Sequence, residues 1–233
     1  MINMTINKLK PAILANVMSY ETGLNNQLEQ FYTAQIIKLG FSNNDRINLE
    51  NASSSDKKLA NYLKSEHFLS GRGLFIAKGA SSDRSSLLAY IVYRIIKFHG
   101  VSAVAGYPEL TEYWRSPLDG QIRYLSGWEL DRLLNGNTST KTVTAIRQAA
   151  NVSYLFIDDF ENLKITDHAL WRLDNIIDCR SRKHLATFIA SSKTLPEMRR
   201  KRGMLEICQK LSAMMIALEL SELPSQTDLL IPA

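Results

Sequence analysis

Four short apolar runs constrain this chain more than any other feature. They are LFIA (74–77), YLFIDDF (154–160), HLATFIASS (184–192) and AMMIALEL (213–220). Apolar runs this short, bounded by polar punctuation, suit strands buried on both faces, the condition of a parallel sheet. VSAVA (101–105) is a further strand candidate. Between the runs the spacing turns helical. Leu88, Ile91, Val92 and Ile95 share the inner side of a helix expected over 87–98. Thr166 or Asp167 can cap a helix striped by Leu170, Leu173 and Ile177, and 205–211 is helical in pattern. KGASSDRSS (78–86) reads as a polar loop. Residues 107–134 read as helices and loops broken by Pro108, Pro117 and Gly120, and GNTST (136–140) as a turn before a short helix. Strands alternating with helices predict an α/β domain with a mostly parallel five-stranded sheet flanked by helices.

Ahead of this domain, residues 23–40 place Leu24, Leu28, Phe31, Tyr32, Ile36 and Leu39 at helical spacing, with Gly40 as a C-cap. Such a stripe either packs on the domain or meets a partner. The polar stretch 43–57 is a connection, and a short helix is expected over 56–68. The expected organisation is a helical N-terminal extension, 1–45, a candidate partner-binding element, followed by the α/β domain, 46–233.

Composition narrows the function classes. With 45% hydrophobic and 22% charged residues, 233 residues are enough for one folded domain with a helical prefix. Cys179 and Cys208 form no CxxC pair, and His67, His99, His168 and His184 have no zinc-site spacing. The longest strong apolar stretch, 87–93, ends at Arg94, too soon for a membrane span. The start of the chain carries no signal-peptide core with a cleavage site, so no membrane partner is expected and cytoplasm is the expected compartment. A formal charge of +5 favours polyanions weakly.

Parallel α/β sheets take ligands beyond the carboxyl ends of their strands. Two ends stand out here: the link after LFIA, and Asp158–Asp159 after YLFI. Together they resemble the two halves of a P-loop NTPase site, a phosphate-wrapping loop facing a magnesium-orienting acid. In that reading Asp158 organises Mg²⁺ and Asp159 polarises the attacking water. The loop half is degenerate. Setting Ser85 at the magnesium-facing hydroxyl puts Arg84 where the lysine belongs, Asp83 where the last glycine belongs and Lys78 at the first glycine, with Gly79 one residue out of place. Asp83 brings negative charge towards a triphosphate, and Arg84 keeps charge without the compact ammonium.

The order GRGLFIA, RSSLLAYIV, VSAV, YLFIDDFENL, ITDHALWRLDNIID, ATFIASSKTLPEM resembles the AAA+ ATPases of the bacterial helicase-loader and IstB-like transposition-helper group over about residues 70–220. The resemblance implies a P-loop, AAA+-like fold without a separate lid domain. It assigns a polar sensor role to Ser192, and with Asp158 and Asp159 this completes the expected catalytic set. Gly79, Arg84 and Ser85 are the expected nucleotide contacts, and Ser85 and Asp158 the metal ligands. The family's arginine finger has only Lys210 at its position, with Arg199, Arg200 and Arg202 nearby. With loop, sensor and finger all altered, efficient ATP hydrolysis is not expected, and ATP and Mg²⁺ binding is expected to be weak or absent.

The resemblance implies an adaptor or loader-like protein of DNA replication or mobile-element maintenance, binding a replicative helicase or another AAA+ protein. The alternatives are an ATP-dependent helicase loader and a DNA-binding regulator of transposition or initiation. Single-stranded or duplex DNA is a candidate partner through Arg180, Arg182 and Lys183 and through Arg199, Arg200 and Arg202. Tyr107, Tyr113 and Trp114 are candidates for base stacking. Homo-oligomerisation is compatible with the same resemblance.

Overall fold

The computed structural model describes residues 26–41, 61–62, 67–99, 102–103, 114–115 and 118–220. The expected connection over 43–57, Tyr107, Tyr113 and most of the helix expected over 56–68 lie outside them. A first helix, α1, covers 26–38. The domain then runs β1 (Gly73–Ala77), α2 (Ser81–His99), β2 (Ser102–Ala103), β3 (Trp114–Arg115), β4 (Ile122–Leu125), α3 (Gly127–Asn135), α4 (Thr140–Asn151), β5 (Tyr154–Ile157), α5 (Asp167–Arg182), β6 (Ala186–Ser191), α6 (Leu195–Met198), α7 (Leu205–Met214) and β7 (Met215–Glu219).

Five strands form one parallel sheet in the order β4-β5-β6-β1-β7. The expected strand count and direction hold, but one member differs. The described part of VSAVA is β2, which pairs antiparallel with β3 outside the main sheet. Its place is taken by IRYL, which forms β4 in a region read as helices and loops. β4 is an edge strand and only partly buried. It therefore needs no continuous apolar run, and Arg123 within it hides the pattern.

Alternation along the strands divides the core in two. Leu74, Ile76, Phe156 and Phe188 face a cluster with α2 and α1. Phe75, Leu155, Ile157 and Ile189 face the opposite cluster with α3, α4, α5 and α7. The described part of the stripe on α1 packs on the domain. Phe31, Tyr32 and Ile36 are buried with Tyr90 and Tyr93 of α2, and Phe41 meets the Tyr124 ring at a tilt, centroids 4.4 Å apart. Leu28 and Leu39 pack at the margin of the same cluster.

α2 begins six residues before the expected start at Leu87. The amides of Asp83 and Arg84 already donate to the Ala80 carbonyl, at 3.1 and 3.2 Å, and Asp83 lies in the first turn, where an acid suits the helix dipole. Only Lys78, Gly79 and Ala80 link β1 to α2.

Candidate functional site

The ends of β1, β5 and β6 meet where this short link turns into α2. The backbone turns sharply here: Lys78 and Gly79 both take left-handed conformations, φ 62° and 70°, the first without glycine's freedom. Lys78 is held by its amide donating to the Ser191 carbonyl at 3.1 Å and by an exposed ion pair with Glu219 at 2.6 Å. Across the cleft Asp159 is also left-handed, φ 46°, and starts a single 3₁₀ turn, Phe160–Asn162, that carries Glu161 back towards β6. The N-terminus of α3 closes the floor: a Cβ on Gly127 would stand 2.3 Å from the Asp159 carbonyl, so only glycine lets the two backbones approach.

Two polar groupings occupy this space. In the first, the Ser85 hydroxyl donates to Asp158 Oδ2 at 2.5 Å, the Tyr124 hydroxyl to the same oxygen at 3.3 Å, and the Asp159 amide to Asp158 Oδ1 at 2.8 Å. Burial pushes the Asp158 carboxyl above its ordinary range, with the Ser85 and Asp159 hydrogen bonds offsetting part of that rise. Burial also pushes the Tyr124 phenol up, and the neighbouring Asp158 adds to this.

The second grouping centres on Arg84. Its side chain is turned inwards and the residue is only 3% exposed. Nη1 donates to the Gly79 carbonyl at 2.7 Å, and Nη2 reaches Asp159 Oδ1 at 3.1 Å and Glu161 Oε1 at 3.3 Å. Ser81 adds a hydroxyl to Asp159 at 3.2 Å, and Lys201 Nζ donates to the Glu161 carbonyl at 2.9 Å. Burial raises the Glu161 carboxyl, but donors at Ser192, its own backbone and Ser191 outweigh burial and hold it below the usual carboxylate range. Among the described residues no well-aligned hydrogen bond reaches Glu161 Oε2 or Arg84 Nε.

The structure thus brings together Gly79, Arg84, Ser85, Asp158, Asp159 and Ser192 at one end of the sheet. Glu161, Tyr124, Ser191 and Lys201 join them without having been expected. Glu161 lies two residues beyond Asp159, and the tight turn after DDF is the signal that could have found it. Tyr124 was hidden with the rest of β4.

These residues do not fit the Mg²⁺-nucleotide that a P-loop fold implies. Phosphate wrapping needs free backbone amides converging on an anion. Here residues 81–84 are helical, the Asp83 and Arg84 amides are engaged, and a guanidinium stands among the acids.

The expected DNA contacts separate. Arg182, Lys183, Arg199, Arg200 and Arg202 are exposed. Arg180 is 0% exposed and bonded to the carbonyls of Ala149, Val152 and Ala186 and to the Thr187 hydroxyl. A guanidinium so engaged has no face for a phosphate. Lys210 is likewise engaged, clamping Asp174 and Asp178 of α5 at 2.6 and 2.7 Å.

No protein-family model and no curated protein sequence matches the chain. Solved structures do. A Streptococcus pyogenes serotype M3 protein described as a primosome component aligns at 16% identity and TM-score 0.55, over 79% of this chain and 91% of that one. DnaI aligns at 15% and 0.51, over 70% and 80%. A DNA replication initiation factor aligns at 15% and 0.52 over 73% of this chain, which spans 47% of that longer one. Sheet order and these likenesses agree: the chain has the α/β P-loop fold of these solved structures.

Proposed function

We propose that this chain is a loader-like adaptor of DNA replication or mobile-element maintenance, engaging a replicative helicase or another AAA+ protein with little or no ATPase activity of its own. The observation that carries this reading is the inward Arg84, paired with Asp159 and Glu161 beneath a three-residue link, in the place where a phosphate loop would open. A scaffold that retains the fold while filling its nucleotide cleft keeps its surfaces for partners. The fold shared with a primosome component and DnaI supports replication as the setting. The exposed Arg199, Arg200 and Arg202 support a backbone contact with DNA.

The competing reading, an ATP-dependent loader, rests on the retained Ser85–Asp158 pair. Titration of the full chain with labelled ATP and Mg²⁺, with Asp158→Ala as control, decides between them. The adaptor reading expects no binding up to millimolar nucleotide, together with co-sedimentation of the chain with a replicative helicase without nucleotide. Micromolar binding lost in the control would establish the loader reading instead.

A further inference from the structure

On the outer side of the helical layer, α4 and α5 leave a groove between them. Val143, Ile146 and Arg147 of α4 and His168, Trp171 and Asn175 of α5 line a cavity of about 540 Å³ there. Spacings of three and four residues keep each set on one face of its helix. Trp171 is 65% exposed. Trp128, exposed to a like degree, carries the Arg132 guanidinium over its ring at 4.8 Å, whereas among the described residues no ring or cation covers Trp171.

The groove is also electropositive. Arg172 forms part of its wall and is 3% exposed. Its guanidinium donates to the carbonyls of Leu133, Leu134 and Gly136 and to the Thr138 hydroxyl. These are dipoles, and the end of α3 to which two of them belong offsets only part of a unit charge. Among the described residues no carboxylate lies within ion-pair distance of Arg172. Arg147 stands exposed at the rim, and no described residue lining the cavity is acidic. An apolar groove with an unanswered buried cation suits an aliphatic segment that carries carboxylates.

The chain itself contains such a segment. Residues 221–233, SELPSQTDLLIPA, lie outside the described residues. They hold Glu222 and Asp228, no Lys or Arg, and the aliphatic run Leu229, Leu230 and Ile231. Residues 1–25 also contain aliphatics, but Lys8 and Lys10 against a lone Glu21 give them the wrong sign. Reach allows the contact. The segment leaves from the carboxyl end of β7, the end of the sheet at which α5 begins. β5, which leads into α5, lies three strands from β7, about 14 Å at ordinary strand spacing. The groove stands a helix diameter further out, about 10 Å. The stretch 221–228, fully extended, covers about 26 Å.

We propose that residues 228–231 of this chain dock in the α4–α5 groove, with Leu229, Leu230 and Ile231 against Trp171, Val143 and Ile146, and Asp228 towards Arg147 and Arg172. A protein partner that uses this face then competes with the chain's own segment for it. Neither nucleotide nor helicase enters the inference, so it stands apart from the adaptor reading.

The test is competition on the full chain. A labelled, amidated peptide of residues 221–233 is titrated by fluorescence anisotropy into the native chain and into Leu229→Ser/Leu230→Ser/Ile231→Ser. The same titration is run on that triple variant with Trp171→Ala or Arg147→Glu added. The triple variant, its groove freed of the segment, binds the peptide one to one. The native chain binds it about 10-fold more weakly, the effect of a tethered competitor at roughly millimolar effective concentration against a peptide Kd of about 100 µM. Trp171→Ala weakens binding to the triple variant about 10-fold or more, the scale of losing an aromatic anchor. Arg147→Glu weakens it too, and gives the answer should Trp171→Ala not fold. Equal binding by the native chain and the triple variant, no binding by the triple variant, or binding indifferent to the groove substitutions would each overturn the proposal. Sedimentation equilibrium supplies the remaining check. Self-association of the native chain that is lost in the triple variant would assign the segment to a second copy and overturn docking within one chain.

Discussion

Two carboxylates three residues apart, Asp158 and Glu161, shift in opposite directions because their surroundings differ. Glu161 is held low, so the native state releases that proton more readily than the unfolded chain does at its ordinary value of 4.5. Its contribution is therefore fully present above that value and is lost as pH falls through the lower native one. Asp158 has the opposite sign. Its carboxyl is raised, so ionising it costs stability as pH climbs from the ordinary 3.8 through the native value. Glu161→Gln is accordingly expected to be less stable than the native chain at neutral pH, with the gap narrowing as pH drops below about 4.5, the ordinary glutamate value. Urea midpoints over an acid pH series would check this. A gap that stays constant across the series would show that the Glu161 carboxyl is not held low.

At the scale of elements, surroundings settle what local pattern leaves open in two helices, the start of α2 and the cover of α1. α2 starts at Ser81 because two serines and an aspartate form a good first turn once Ala80 offers its carbonyl, although the same residues in isolation read as a loop. α1 displays a stripe that says only that something apolar must cover it. Tyr32 meets Tyr93 edge-on at 5.9 Å, Glu29 accepts from the Tyr93 hydroxyl at 3.0 Å, and Ile36 is 1% exposed. Ile36→Ala should cost about 3 kcal/mol, the usual scale for emptying such a site, read as a shift of the urea midpoint at constant slope. A loss below about 1 kcal/mol, the scale of a surface change, would mean that α1 does not dock this way.

Across the whole molecule, positive charge is divided between structure and surface. Arg180 ties α5 to β6 and to the α4–β5 connection, and burial lowers its guanidinium to about 9, which still leaves it charged at neutral pH. Arg172 does the same for the α3–α4 link, donating to the carbonyls of Leu133, Leu134 and Gly136. Arg199, Arg200 and Arg202 remain outside. Arg180→Met is therefore expected to destabilise the fold by about 3–5 kcal/mol, as loss of a buried charge-assisted network does, while leaving the salt dependence of DNA binding unchanged. Replacing Arg199, Arg200 and Arg202 with alanine should leave stability within about 0.5 kcal/mol, the range of surface substitutions, and flatten the salt slope by about 3, roughly one unit per lost phosphate contact. Fluorescence anisotropy against salt would check both. An unchanged slope in the triple variant would remove this surface from the DNA-binding proposal.

What the sequence determined by itself was the layer plan and the acid half of the site. Strands buried on both faces must be apolar throughout, so LFIA, YLFI and ATFIAS announce themselves wherever they pair, and Asp158–Asp159 follow from the end of one of them. Tertiary structure decided the rest. An edge strand such as β4 can carry Arg123 because one side meets solvent, so its pattern is silent. Whether Arg84, Arg180 or Arg199 faces water is a matter of which carbonyls and carboxylates distant parts of the chain bring within reach. Asp159 and Glu161 lie 75 and 77 residues from Arg84. A guanidinium turns inwards only where such partners repay its desolvation, and no local pattern records where they will be.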